Sequence, residues 1–345
     1  MKDRKAVARL GSRSAVRLAD LAQLVRAPAA LSVPGDVIAG AAAAGRPLGA
    51  RTFGVIGSSV CLYWAGMALN DYADAAVDAV ERPERPVPSG RVPRRAALAV
   101  AGGLTVAGLG LAAAAGGRRS VFAAVPLAGA VWAYDLKLKS TPAGGVAMAG
   151  ARVLDVLAGA VVPGPGAASS GEALRRAAAP AALTGIHTYT LMALSRHEIA
   201  GAPARVPATT LAVSAATAIA TAVPLVRADA GSAAQGRGPS AAPSWLVAQF
   251  PAPLKGAVGT VAEKFRPAVT AAAAVAYLGT YGTAQVRAVQ EPSGENLRRA
   301  VGAGILGLLP LQAALTARGG APAVAAALGV VHPLARRLAR RISPT

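Results

Sequence analysis

The sequence predicts an all-α protein, a polytopic membrane helix bundle of nine transmembrane helices with a tenth apolar segment that spans or lies re-entrant. Three observations carry this reading. Over 345 residues the chain is 54% hydrophobic and only 15% charged, and its mean hydropathy of +0.45 is far from that of ordinary soluble proteins. Apolar stretches recur at the length that crosses a hydrocarbon core of roughly 30 Å. Alanine, glycine and β-branched residues dominate those stretches, and small residues let helices pack closely in lipid.

The expected spans, in order, are 29–46, 52–70, 96–115, 119–135, 144–162, 176–194, 207–226, 267–286 and 299–317, with 320–335 as the short tenth segment. Residues 1–28 form a basic tail, retained rather than cleaved because many further apolar runs follow the first. In the first span, Asp36 follows Pro34 and Gly35, where it lines a cavity or caps a broken helix. Residues 227–266 read as a long external loop, flexible at its Gly-, Pro- and Ser-rich start and interfacial around Trp245 and Phe250. The turn before the ninth span carries a helix-start signal at Ser293, and residues 336–345 form a second basic tail.

The net charge of +20 does not point to nucleic acid, because the basic residues are spread over loops instead of forming one stripe. The positive-inside rule accounts for them with the N-terminus in the cytoplasm when all ten stretches cross; with nine crossings the bias nearly disappears. The expected location is the plasma membrane, multi-pass. The single cysteine, Cys61, excludes a disulfide within one chain, and His187, His197 and His332 are too scattered for a metal cluster.

Charge gathers instead at "NDYADAAVDAVERPERPVPSG", Asn70 to Gly90. Asp71, Asp74 and Asp78 are spaced by three and four residues, so they share one helical face with Asn70 at its head. Carboxylates stacked this way repel one another and call for a cation between them. Mg2+ suits the site, since it takes a few carboxylate oxygens and completes its shell with water and phosphate. Arg82 and Arg85, just downstream, are suited to paired hydrogen bonds with phosphate oxygens, and the prolines after them stiffen a turn back to the membrane. The bland alternative is a solvated loop of balanced charge; the length of the whole string, between two spans, argues against it.

This string resembles the first aspartate-rich motif of the UbiA superfamily of intramembrane prenyltransferases, at Asn70, Asp71, Asp74, Asp78, Arg82, Arg85, Pro86, Ser89 and Gly90. "RAPAALSVPGDVIAG" (Arg26 to Gly40) resembles that family's first span, and "YDLKLKSTPAGGVAMAGARVLDVLAGA" (Tyr134 to Ala160) its middle region. The likeness covers about residues 20 to 225. It implies helices around a central cavity and transfer of a prenyl group from an isoprenyl diphosphate donor to an aromatic or other lipophilic acceptor, an alkyl transfer of the class EC 2.5.1.-. It also implies two acid-rich loops, after the second and sixth spans, holding Mg2+ over the diphosphate.

The second loop departs from that pattern. "LMALSRHEIAGAP", Leu191 to Pro203, offers Glu198 as its one carboxylate, beside Ser195, Arg196 and His197. Either Glu198 joins Asp71, Asp74 and Asp78 as a metal ligand while Arg196 supplies fixed positive charge to the diphosphate, or the site binds a prenyl lipid without turnover. "LSRHE" resembles a branch similar to EboC-type proteins, which weakens a hydroxybenzoate acceptor. Lys139 stands at the family's recurring lysine after the fourth span, where it reaches a phosphate or serves as a positive-inside anchor; Tyr134 and Trp132 before it face an allylic cation through their rings or anchor at the interface. Arg152 and Asp155, three residues apart inside a span, read as a pair on one helical face that serves the acceptor or ties helices together. His187, in the sixth span, is an acceptor-binding candidate or a packing residue. Partners are then the donor diphosphate, a lipophilic acceptor and membrane lipid, with the site facing the cytoplasm. The number of apolar spans argues against a third reading, a soluble-type terpene synthase with an aspartate-rich motif, and detergent-free extraction tests it.

Overall fold

Helices form wherever the apolar runs proceed without interruption, and the breaks fall at glycine, proline or the acid string. The structure is a computed structural model that describes residues 16–164, 169–223 and 252–330; among these there is helix and no strand. A short helix α1 (Leu18–Leu24) and a 3₁₀ segment (Ala27–Ser32) lead into α2 (Val33–Ala43). Pro34 lies in the first turn of α2, where its missing N–H costs nothing. The expected broken helix is therefore a helix start.

The second expected span is α3 (Ala50–Ala73), followed after a break at Asp74 by α4 (Ala75–Glu81). The next two spans are the two arms of α5 (Arg94–Ala133), helices divided by non-helical backbone at Gly116 and Gly117, between the expected 96–115 and 119–135. Gly117 has φ +60° and ψ −147°, a conformation open to glycine and strained for other residues. The chain doubles back there: Arg94 at one end of α5 donates to the Tyr72 carbonyl, and Asp135, just past the other end, accepts from Asn70. A π-helical turn (Tyr134–Leu138) closes the second arm.

The remaining elements are α6 (Gly144–Ala160), α7 (Ser170–Ser195), α8 (Arg205–Ala222), α9 (Ala252–Tyr277), a π turn (Leu278–Gly282), α10 (Thr283–Gln290) and α11 (Gly294–Arg318). A last helical segment occupies 322–330. The expected start signal at Ser293 caps α11, its hydroxyl accepting from the Asn296 amide. Helix α9 begins at Ala252, inside the stretch expected as loop; residues 224–251, 1–15 and 331–345 lie outside the described residues, and with them Trp245, Phe250 and the C-terminal tail. Among the described residues three helices are long and apolar enough to cross a membrane, Ala50–Ala73, Arg94–Leu138 and Gly294–Arg318, with Ala30–Ala43 as a shorter apolar helix.

Packing concentrates around α11, which buries Leu297, Leu308 and Leu311 against Leu194, Tyr277 and Tyr281. Helices α2 and α6 cross backbone to backbone: a Cβ on Gly40 would stand 1.8 Å from the Val156 carbonyl oxygen, and one on Gly159 2.0 Å from that of Val37. Lipid provides no hydrophobic drive between helices, so such close approach is what supplies attraction. The loops after α4, the π turn, α7 and α10 come together at one end of the bundle, joined by Lys139 to Asp74, Arg196 to the Thr141 carbonyl and Arg298 to the Glu198 carbonyl.

Candidate active site

The acid string sits at that end. The break at Asp74 (φ −88°, ψ +7°) stops α3 and restarts α4, leaving Asp71 and Asp78 each 1% exposed. Arg85 bridges them, its Nη1 at 2.6 Å from Asp78 Oδ2 and 3.6 Å from Asp71 Oδ1. Arg26, just before the 3₁₀ segment, donates to Asp71 Oδ1 at 3.0 Å. Arg82 Nη1 stands 3.6 Å from Asp78 Oδ1, and Lys139 Nζ lies 2.5 Å from Asp74 Oδ1. Asn70 donates to Asp135 at 3.4 Å. Each carboxylate of the motif is thus matched by a cation, as low-dielectric surroundings require.

The turn that returns Arg85 is fastened locally. Ser89 Oγ donates to the carbonyls of Arg85 and Pro86, and the Val92 amide donates to Pro86. Arg91 then reaches Asp20, Gln23 and the Glu84 carbonyl, binding α1 to the motif turn.

The second loop faces this cluster. Glu198 is half-buried; burial raises its carboxyl above the usual glutamate value, against the lowering influence of Arg298 and Arg82. Arg196 Nη2 donates to the carbonyls of Thr141 and Pro142, so this guanidinium ties two loops together. Ser195 bonds back to the Met192 carbonyl within its own helix. Tyr134 lies close enough to Asp74, Asp135 and Arg196 to feel their charges. Arg298 donates to the Glu198 carbonyl, and Ala202 to that of Pro292, so the turn before α11 also joins this end.

Other candidates are placed elsewhere. Arg152 pairs with Asp36 rather than Asp155: its Nη1 is 2.6 Å from Asp36 Oδ2, its Nη2 donates to Ser32 Oγ, and its guanidinium lies over the Tyr63 ring at 4.9 Å. Gln312 on α11 donates to Asp36 and to the Ser32 carbonyl, both at 2.7 Å. Asp155 instead accepts from Ser59 at 2.5 Å. Ser59 precedes Asp71 by twelve residues of α3, roughly 18 Å of helix axis. The pair expected on one face of α6 is a clamp across α2, α6 and α11 in mid-bundle, three turns from the acids. His187 is fully buried, held by the Tyr277 hydroxyl and the Gly304 carbonyl and edge-on to Tyr281, the arrangement of a packing histidine.

Arg26 and Asp135 were not singled out as site residues, and for the candidates Asp36 and Arg152 the pairing with each other and with Gln312 was not legible. Arg26 lies 45 positions from Asp71 and Gln312 276 from Asp36, separations that no local spacing rule spans. A signal for Arg26 and Asp135 existed in the two quoted segments that contain them.

No three acid, histidine or cysteine side chains converge on one metal position among the described residues. The donors are nevertheless all hard oxygens, and Mg2+ characteristically takes only one or two carboxylates, the rest of its shell being water and substrate phosphate. The chemistry of this donor set fits such an ion, while Arg85 and Lys139 occupy the carboxylates as the side chains stand.

Comparison with known proteins decides the family: the model of the UbiA prenyltransferase family matches residues 33–248. The chain belongs to the UbiA prenyltransferase family. Its similarity to curated UbiA-type relatives is local. It is 42% identical over 110 residues to the digeranylgeranylglyceryl phosphate synthase of Methanopyrus kandleri, covering 32% of this chain and 38% of the relative. It is 38% identical over 133 residues to that of Halobacterium salinarum, covering 38% and 47%. The matches thus span less than half of the length of these relatives. Among solved structures, a UbiA homologue from Aeropyrum pernix superposes with a TM-score of 0.55 at 17% identity, over 88% of this chain and 97% of that one. A digeranylgeranylglyceryl phosphate synthase in membranes gives 0.53 at 13%, over 88% and 98%. At such identity these two establish a shared UbiA fold.

Proposed function

We propose that the chain transfers a prenyl group from an isoprenyl diphosphate to a lipophilic acceptor in the membrane. The observation that carries the proposal is the cluster in which Asp71, Asp74 and Asp78, the first and last of them buried, alternate with Arg26, Arg82, Arg85 and Lys139, opposite Glu198. Such alternation holds cations ready to exchange partners. When a donor enters, Arg85 and Lys139 turn to its phosphate oxygens; one or two of the carboxylates of Asp71, Asp74, Asp78 and Glu198 would then hold Mg2+, with water and phosphate completing its shell. The metal supplies charge neutralisation for the departing diphosphate. Arg82 adds positive charge fixed before the reaction begins, while Arg196 and Asn70 hold the loops and Asp135 in register. The surrounding helices exclude water, protecting an allylic cation until the acceptor attacks it.

The curated relatives named as digeranylgeranylglyceryl phosphate synthases support an isoprenyl glycerol phosphate as the first acceptor to try, ahead of aromatic rings. We further propose that nine helices cross the plasma membrane and that both loops face the cytoplasm; cysteines introduced at Ala76 and Ala200 are then labelled from that side.

Purified protein is to be incubated with geranylgeranyl diphosphate and shorter donors, with and without magnesium, alongside lipid acceptors and the Asp74→Asn variant. Magnesium-dependent diphosphate release with a prenylated product, lost in the variant, supports the transferase. Tight donor binding without turnover under every acceptor would replace it with a lipid carrier, a reading that the neutralised carboxylates and the single acid of the second loop favour.

A further inference from the structure

A groove of about 750 Å³ lies outside the acid cluster, between α6, α7 and α8. It runs from Val146 and Ala193 at the motif end of the bundle to Ala182 and Val213 further in. The eleven-residue step from Ala193 to Ala182 on α7 corresponds to roughly 16 Å of axis, about half of a hydrocarbon core of roughly 30 Å. The groove is therefore as deep as one leaflet. Its lining is overwhelmingly apolar, and the single charged residue in it is Arg205, the first residue of α8, at the motif end. Arg205 is exposed, and its guanidinium forms no ion pair among the described residues. Gly150 lines the groove with nothing within 4 Å of where its Cβ would stand, so the wall is open there.

We propose that this groove is a binding site for an anionic phospholipid of the motif-side leaflet, its phosphate on Arg205 and one acyl chain between α6 and α7. A cation at the interface end of a one-leaflet apolar slot matches that chemistry: arginine pairs with phosphate oxygens, and the chain fills wall area that water cannot solvate. A zwitterionic lipid fits the slot equally well but gains less at Arg205.

The test is lipid retention by the full-length chain in detergent, read by native mass spectrometry with phosphatidylglycerol and phosphatidylcholine offered in equal amounts. Phosphatidylglycerol is expected to be retained about fivefold over phosphatidylcholine, the selectivity of one basic residue at an anionic headgroup. Arg205→Gln should bring that ratio to about one, Arg205→Lys should restore most of it, and Gly150→Leu should cut retention of both lipids. Arg205 is exposed, so its variants report on binding even where Gly150→Leu fails to fold. Asp74→Asn should leave the ratio unchanged, which separates this site from the acid cluster and from the fate of the transferase reading. Equal retention of the two lipids by the unmodified chain overturns the proposal, as does a ratio indifferent to Arg205→Gln. Displacement of phosphatidylglycerol by stoichiometric geranylgeranyl diphosphate would also overturn it, assigning the groove to the donor's chain.

Discussion

Arg85 is the residue on which the acid cluster depends, because among the described residues it alone pairs with both Asp71 and Asp78. Replacing it with alanine leaves two buried carboxylates without their shared cation. The expected cost is about 3 kcal/mol, the lower end for breaking a buried pair, since Arg26 still serves Asp71 and Arg82 still serves Asp78. Thermal unfolding in detergent measures this, and Arg85→Lys should recover part of it by restoring charge without the guanidinium fork. Glu198 gives a second outcome at this scale. Its carboxyl titrates above the usual glutamate value because burial disfavours the charged form. The metal-binding anion therefore appears only as pH rises through that elevated value, and the magnesium requirement for diphosphate release should fall across the same window. Glu198→Gln should flatten the profile; an unchanged profile would remove Glu198 from the metal site. The three aspartates and two arginines were legible because their spacing is local. Their actual partners were not, since Arg26 and Lys139 arrive from other helices and no spacing rule says which cation meets which carboxylate.

At the scale of elements, the crossing of α2 on α6 makes opposite predictions for two glycines of one helix. A methyl on Gly159 would enter the backbone of Val37, which cannot rotate away as a side chain can. Gly159→Ala should destabilise the protein by about 3 kcal/mol, the upper end of the usual overpacking cost. Gly150, less than three turns earlier, meets open space, so Gly150→Ala should stabilise by up to about 1 kcal/mol through helix propensity alone. Equal shifts in melting temperature for the two would mean that the helices do not cross there. Apolar length located these helices, yet it could not separate the glycine that permits a crossing from the glycine that lines a groove. It placed the boundary between the third and fourth spans where the chain turns, at Gly116 and Gly117, but it missed α9 before residue 267 because the sequence there is too polar to resemble a span.

For the whole molecule, two polar centres divide the work. The loops at the motif end are tied to one another by Arg91, Arg196 and Arg298 through bonds to side chains and carbonyls of neighbouring segments, so the acid cluster is built on a joined surface. Mid-bundle, Arg152, Asp36 and Gln312 join α2, α6 and α11, well over two turns away from any group that touches diphosphate in the proposed reaction. An ion pair in that position acts on stability more than on chemistry. Arg152→Gln alone strands Asp36 and should cost about 3–5 kcal/mol. Adding Asp36→Asn removes the stranded charge and should return a large part of that loss, giving a coupling energy between the two sites of about 1–3 kcal/mol in a double-mutant cycle. The double variant should release diphosphate with a rate per folded molecule close to that of the unmodified chain, whereas Asp74→Asn should keep its melting temperature near normal and lose turnover. If the double variant recovers stability yet loses turnover, Arg152 reaches the substrate after all, and the cavity must extend from the acid cluster down to the middle of the bundle.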